Sequence, residues 1–101
     1  MNMCMLETNS GLVRRLDSYT LPANSEVILP VHISRRTQCE NVYILLEPTQ
    51  NLASKKIMAA RCVVQVGQGK SVIRLVNPTN KRIHLPRRYV LANVLDIIPI
   101  T

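Results

Sequence analysis

The side chains that could do acid–base chemistry are few and scattered. The carboxylates are Glu7, Asp17, Glu26, Glu40, Glu47 and Asp96. No two of them form a local pair, although general acid–base catalysis often uses paired carboxylates. Asp17-Ser18-Tyr19 is superficially similar to the D-[ST]-G loop of aspartic proteases, but tyrosine replaces the glycine and the flanking apolar strand is missing. We therefore predict that the chain has no catalytic residues and is not an enzyme.

Metal and thiol chemistry is equally sparse. His32 and His84 have no cysteine or acidic neighbour in sequence. The three cysteines, Cys4, Cys39 and Cys62, are far apart and form no C-x-x-C spacing of the kind that binds zinc. The sequence therefore predicts no metal and no cofactor. Reduced thiols of this kind indicate an intracellular protein, cytoplasmic or nuclear.

The run Gly69-Lys70-Ser71 matches the end of a phosphate-binding P-loop. A complete P-loop requires an earlier glycine five residues before the second one. That place holds Val64, and no helical pattern follows the run. A turn between two strands is the better interpretation.

Basic residues are the most distinctive feature of the composition. Ten of the 13 form adjacent pairs, and the net charge is +7. The pairs are Arg14-Arg15, Arg35-Arg36, Lys55-Lys56, Lys81-Arg82 and Arg87-Arg88. Neighbours in a strand point to opposite faces, and burying a charge is costly. We therefore expect the pairs at loops, turns or edges, and Arg14-Arg15 predicts that the first strand is an edge or no strand at all.

The basic pairs allow two interpretations. They could solvate exposed edges and block unwanted strand pairing, or they could contact the phosphates of RNA or DNA. The residues predicted for phosphate contact are Arg35, Arg36, Lys81, Arg82, Arg87 and Arg88. Single-strand binders usually offer aromatic stacking surfaces. Only three tyrosines are present, and Tyr43 lies in an apolar run that we expect to be buried.

The chain is long enough for one domain. With 101 residues, we predict a flexible leader over residues 1–10 and a single β-sandwich domain over 11–101. The hydrophobic fraction is 47% without Trp or Phe, so the core must be aliphatic. No apolar run approaches the roughly 18 residues that cross a bilayer, and we predict no membrane contact.

Strand patterns dominate the sequence. Val27, Leu29, Val31 and Ile33 alternate with more polar residues, which predicts a strand with one apolar face. Pro30 within it predicts an edge or a bulge, since proline cannot donate to a ladder.

Other apolar runs and turns complete the pattern. Gly67-Gln68-Gly69 predicts a hairpin that joins 57–66 to 71–76, and Asn77-Pro78-Thr79-Asn80 predicts a turn. Only 52–60 could be partly helical. The further predicted strands cover residues 12–16, 42–46, 83–85 and 89–98. The predicted fold is all-β, a small antiparallel β-sandwich or partly open barrel of about seven short strands.

Three short phrases occur in a characteristic order: Leu46-Glu47-Pro48, Ala60-Arg61 and Val76-Asn77-Pro78-Thr79. Over residues 12–98 the chain resembles the β-rich segment in Pol polyproteins of gypsy-type LTR retrotransposons. In that family the segment lies between a retropepsin-like protease and the reverse transcriptase. Family members often carry Gly-Thr before the last strand, where this chain has Arg87-Arg88-Tyr89.

The resemblance implies membership of a Pol-type polyprotein, or of a host gene derived from one, without protease or polymerase residues. Our leading hypothesis is a non-catalytic interaction or spacer domain whose partners are the neighbouring protease or reverse-transcriptase modules. One alternative is an auxiliary, sequence-independent nucleic-acid-binding module. Another is a dUTPase-like β-fold hydrolase, for which only Asp96 and Glu47 are candidate carboxylates. The oligomeric state stays open, with an edge-paired dimer among the alternatives.

Overall fold

Antiparallel strands make up almost all of the regular structure. The computed structural model describes residues 4–35 and 43–100, with side chains described over 11–34 and 43–95. Within these residues the elements are β1 (Cys4–Arg14), β2 (Tyr19–Leu21), β3 (Ser25–Arg35), β4 (Tyr43–Pro48), α1 (Gln50–Ser54), β5 (Cys62–Gln65), β6 (Lys70–Asn77), β7 (Ile83–Leu85) and β8 (Val90–Ile100). The all-β prediction is confirmed. The predicted helical character near residue 52 corresponds to the single turn and a half of α1.

Six strands form one sheet in the order β5-β4-β8-β1-β3-β6, and β2 pairs with β7 in a small second sheet. The large sheet curls until its two edge strands approach each other. Met58, just before β5, exchanges two main-chain hydrogen bonds with Val76 of β6, at 2.9 and 2.8 Å. At the other end Gly67 and Lys70 exchange two more, both 3.0 Å. The result is a nearly closed barrel, the partly open form of the predicted fold.

The long strands β1 and β8 lie at the centre of the sheet. They pair from Cys4 opposite Ile100 to Arg14 opposite Val90, with two register shifts. Residues 4–10 thus belong to a strand, where the sequence predicted a leader. The prediction that the first strand is an edge is wrong, because β1 lies between β8 and β3. Arg14 is tolerated because it is the last residue of the strand, where the ladder stops.

The core is aliphatic, as predicted. In β3 the alternating residues Leu29, Val31 and Ile33 are buried, while Ile28 and Pro30 are exposed. Buried side chains from the neighbouring strands complete the cluster, among them Val13, Ile44, Leu46, Leu75, Leu91 and Val94. Each large aliphatic side chain contributes about 1.5–3 kcal/mol by leaving water. This shared core holds the curled sheet together.

Pro30 lies in β3, which is an interior strand of the sheet but is paired on one side only at this residue. The predicted bulge is absent, and the predicted edge is a local one. It stands opposite Val72 in an unbroken ladder with β6. Pairing of β3 with β1 ends at His32 opposite Arg14, two residues before Pro30 is reached. The ring nitrogen faces this side, where no ladder bond is needed, and the Pro30 carbonyl accepts a 3.2 Å bond from Arg15 Nη1. Proline therefore removes no strand hydrogen bond here.

The glycine turn at residues 67–69 is present, but the hairpin predicted around it is wrong. β5 pairs with β4, and β6 pairs with β3. Beyond the Gly67–Lys70 bridge the two strands separate, and Ser71 Oγ donates to the Gln65 carbonyl at 2.8 Å. We call the opening between β5 and β6 the seam; it is bounded by this turn and by the Met58–Val76 bridge.

Asn77 holds together the turn that follows β6. Its side chain is completely buried. Nδ2 donates to the carbonyls of Pro22 and Lys81 at 3.0 and 2.8 Å. Oδ1 accepts from the Thr79 main chain at 3.0 Å and from its hydroxyl at 2.7 Å. The predicted turn is thereby confirmed, and one amide joins it to the chain after β2.

Candidate functional site

The predicted phosphate-contacting residues occupy turns where the structure describes them. Lys81 and Arg82 are exposed between β6 and β7, and Arg87 and Arg88 are exposed between β7 and β8. Arg35 is the last residue of β3, and its side chain lies outside those described. Arg36 lies outside the described residues. The location of the described pairs follows the predicted rule that adjacent charges avoid strands, while their contact with nucleic acid stays a prediction.

One pocket brings basic side chains together from three parts of the chain. Arg14 comes from the end of β1, His32 from β3, and Arg88 from the turn before β8. The pocket has a volume of about 550 Å³ and is completed by Leu16, Ile33, Ser34, Gln68 and Gly69. We call it the basic pocket. No carboxylate is among the described residues that line it.

The strand register fixes two of the three basic residues. Arg14 and His32 stand directly opposite each other in the β1–β3 ladder. Directly opposed side chains in an antiparallel pair have Cβ atoms about 5 Å apart. The third, Arg88, adopts a left-handed conformation with φ of 59°, and its N–H donates to the Arg15 carbonyl at 3.0 Å. The main chain thus holds Arg88 beside the end of β1.

Arg14 and Arg15 have different surroundings despite being adjacent. Arg15 donates to the Pro30 carbonyl and lies over the Tyr19 ring, with 5.4 Å between the guanidinium carbon and the ring centre. Arg14 lines the basic pocket, and its Nε is buried without a hydrogen-bond partner. The Nε of Arg15 is buried without a partner as well. The two arginines therefore differ in their other contacts: Arg15 is held against β3 and Tyr19, and Arg14 lines the pocket.

The described acidic side chains are engaged elsewhere or lie outside this pocket. Glu26 Oε1 is 3.0 Å from Arg74 Nε, and Glu47 Oε2 is 3.7 Å from Arg61 Nε. The side chain of Asp96 lies outside those described. Among the described side chains, no three His, Cys, Asp or Glu groups lie close enough to hold a metal ion. The geometry around the basic pocket favours an anion.

A second concave surface lies in the seam. It has a volume of about 440 Å³ and is lined by Met58, Ala59, Ala60, Cys62, Arg74 and Val76. The main-chain N–H and C=O of Val76 point towards Met58. Alternate residues of a strand point these groups to the same side, so the N–H and C=O of Val72 and Arg74 also point into the seam. The seam thus presents a strand edge beside an apolar surface.

Tyrosines are arranged differently from our expectation. Tyr43 is 60% exposed, so the prediction that it is buried is wrong. It begins β4, where its side chain faces outward opposite Gln65. The Tyr89 hydroxyl donates to the Asn51 carbonyl at 2.9 Å, and Lys55 Nζ lies 5.3 Å from its ring centre. Tyr89 therefore packs against α1 and fixes this helix beside the start of β8.

The sequence offered no local signal for the basic pocket, because its members are far apart along the chain. Within the described residues, no helix is long and apolar enough to cross a membrane. Comparisons with protein-family models, with curated proteins and with solved structures found no match to this chain.

Proposed function

We propose that the chain is a non-catalytic interaction domain of a Pol-type polyprotein, or of a host protein derived from one. Its partner is an extended segment of a neighbouring protease or reverse-transcriptase module. The observation that carries this proposal is the free edge of β6 beside the apolar surface of the seam. The class of partner follows from the resemblance of residues 12–98 to the Pol segment.

Strand addition is the mode of binding that the seam favours. The N–H and C=O groups of an edge strand can pair with an incoming extended peptide, whose alternate side chains then enter a neighbouring pocket. Here the edge groups belong to Val72 and Arg74, and the pocket wall includes Ala59, Ala60 and Cys62. Main-chain pairing would supply affinity, and the apolar wall would select small aliphatic side chains.

Exposed apolar residues extend this surface beyond the pocket. Met58 is 60% exposed and Val72 is 48% exposed. Val63 on β5 and Ile28 on β3, the strand that pairs with β6, are also exposed. Clustered exposed apolar side chains commonly mark a protein interface. They support docking at the seam in preference to a purely passive connection.

The test removes one main-chain donor. A Val72→Pro variant loses the N–H that faces the seam, while the β3–β6 ladder keeps its hydrogen bonds because Val72 is in the outward phase. A Val72→Thr variant is the matched control, since it keeps that N–H. Binding of the protease and reverse-transcriptase modules from the same reading frame is measured by titration calorimetry. We expect one module to bind, with at least about tenfold loss in Val72→Pro and less than twofold in Val72→Thr.

Absence of binding by either module refutes the proposed function. Equal binding by both variants refutes the seam as the docking surface. A protease frame upstream and a polymerase frame downstream in the genome would support the choice of partners.

A second candidate is sequence-independent nucleic-acid binding. The exposed basic turns at Lys81-Arg82 and Arg87-Arg88, together with the net charge of +7, favour it. Titration of labelled RNA and DNA, followed by fluorescence anisotropy at two salt concentrations, tests it. Affinity that falls steeply with salt supports phosphate contacts, and absence of binding at low salt removes this candidate.

A further inference from the structure

We propose that Arg14, His32 and Arg88 form a binding site for a backbone phosphate of a nucleic-acid strand. The site is the basic pocket, and it deepens the second candidate function. Of its three basic residues, only Arg88 was expected from the sequence to contact phosphate. That the anion is a nucleic-acid phosphate rests on the second candidate function, whereas that the pocket binds an anion at all rests on its lining residues.

The first argument is that the guanidinium group of Arg14 lines the pocket. The guanidinium fork matches the oxygens of a phosphate, which accepts two parallel hydrogen bonds from it. A phosphate in the pocket would lie against this guanidinium group.

The second argument is the convergence of three polar side chains on one place. Arg14 faces His32 directly across the β1–β3 ladder. Arg88 is held against the same end of β1 through the Arg15 carbonyl. An anion bound among the three would lie between two guanidinium groups and beside the His32 ring.

The third argument is the absence of competing groups within the described part of the chain. No residue that lines the pocket carries a carboxylate. Glu26 and Glu47 are paired with Arg74 and Arg61 elsewhere. The Ser34 hydroxyl adds a neutral donor to the lining. The pocket therefore offers donors of several kinds, and no counterion lies among its described lining residues.

The shape of the pocket suits a strand that passes over it. Its volume of about 550 Å³ exceeds what one phosphate group fills. Gly69, with φ of 71°, lies at its wall without a side chain. A phosphodiester has two ester continuations, and a roomy, open pocket accommodates them where a closed anion cage would not.

The test uses a matched pair of charge-removing variants. Arg88→Asn removes one pocket cation, and asparagine tolerates the left-handed backbone of that position. Lys56→Asn removes an exposed cation at another left-handed position, with φ of 63°, away from the pocket. Arg14→Lys is a third variant that keeps the charge but loses the guanidinium fork. Thermal denaturation establishes that each variant is folded.

Affinity is measured by fluorescence anisotropy with a labelled single strand of about twelve nucleotides. Titrations are run at salt concentrations between about 50 and 200 mM. We expect Arg88→Asn to weaken binding about five- to tenfold and to lower the salt slope by about 1. Lys56→Asn should change affinity less than twofold, and Arg14→Lys should weaken binding with little change in slope.

Each other outcome overturns the proposal in a distinguishable way. If the oligonucleotide binds but Arg88→Asn behaves like Lys56→Asn, the pocket is not the site and the second candidate function stands. If no oligonucleotide binds at low salt, both are overturned. If inorganic phosphate shifts the Arg14 Nε–H resonance but does not displace the oligonucleotide, the pocket binds an anion that does not come from a nucleic-acid backbone, and the proposal is overturned.

Discussion

Replacing Asn77 by alanine should cost about 3 kcal/mol of unfolding free energy. The side chain is completely buried and makes four short hydrogen bonds, two to the carbonyls of Pro22 and Lys81 and two from Thr79. Each such bond contributes about 1 kcal/mol net, and a buried carbonyl left unpaired adds a further penalty. We discount the sum because the Thr79 hydroxyl, which has one proton, also lies 3.0 Å from the Lys81 carbonyl oxygen and can donate to it once Asn77 is removed.

The assay is urea unfolding followed by circular dichroism. A loss of about 3 kcal/mol should lower the urea midpoint by about 1–3 M and the melting temperature by more than about 10 °C. Asn80→Ala is the matched control, because Asn80 is an exposed asparagine in the same turn. It should change stability by less than about 0.5 kcal/mol.

A third variant separates hydrogen bonding from packing. Asn77→Asp has nearly the same shape, but a carboxylate oxygen replaces Nδ2 and faces the Pro22 and Lys81 carbonyls. We expect at least as large a loss as in Asn77→Ala at neutral pH, because a buried charge without donors is unfavourable. A loss below about 1 kcal/mol in Asn77→Ala, or equal losses in Asn77→Ala and Asn80→Ala, would refute the role we assign to Asn77.

Other residues give sharper single tests. Gly69→Ala should cost about 1–2 kcal/mol in thermal denaturation, because its φ of 71° is unfavourable for a residue with a Cβ. Gly67→Ala should be nearly neutral, since there is open space around Gly67. Equal effects of the two substitutions would contradict this explanation. Glu26→Gln should cost less than about 1 kcal/mol, because its ion pair with Arg74 is exposed, and the difference should shrink in about 1 M salt. Leu75→Ala should cost about 2–5 kcal/mol in urea unfolding, since its side chain is fully buried; a smaller loss would show that the core can relax around it.

The strands could be predicted from the sequence because their signal is local. Leu29, Val31 and Ile33 alternate with exposed residues, and a period of two needs no knowledge of the partner strand. The turn at Asn77 was equally readable, since its side chain bonds the main chain two residues on.

Strand pairing could not be predicted in the same way. Gly67-Gln68-Gly69 makes a turn in either case, but whether β5 and β6 then pair depends on the competing partners β4 and β3. Arg14 gave the wrong signal for a similar reason. A basic pair at the end of a central strand is indistinguishable in sequence from one on an edge strand.

The same limit applies to the candidate sites. Lys81, Arg82, Arg87 and Arg88 could be assigned to turns because adjacent charges avoid half-buried strands. Arg14 and His32 are 18 positions apart, and only the β1–β3 register makes them neighbours. A site formed by residues that are distant in sequence gives no signal in the local composition.

The pairing of Cys4 with Ile100 bears on how such a domain would sit in a longer polypeptide. Polypeptide that enters at the first strand and polypeptide that departs from the last would run through the same end of the sheet, side by side. Modules attached there would lie close to each other, and the barrel would lie to one side of both. A domain with this geometry would not hold its neighbours far apart, but it would be placed to contact both of them.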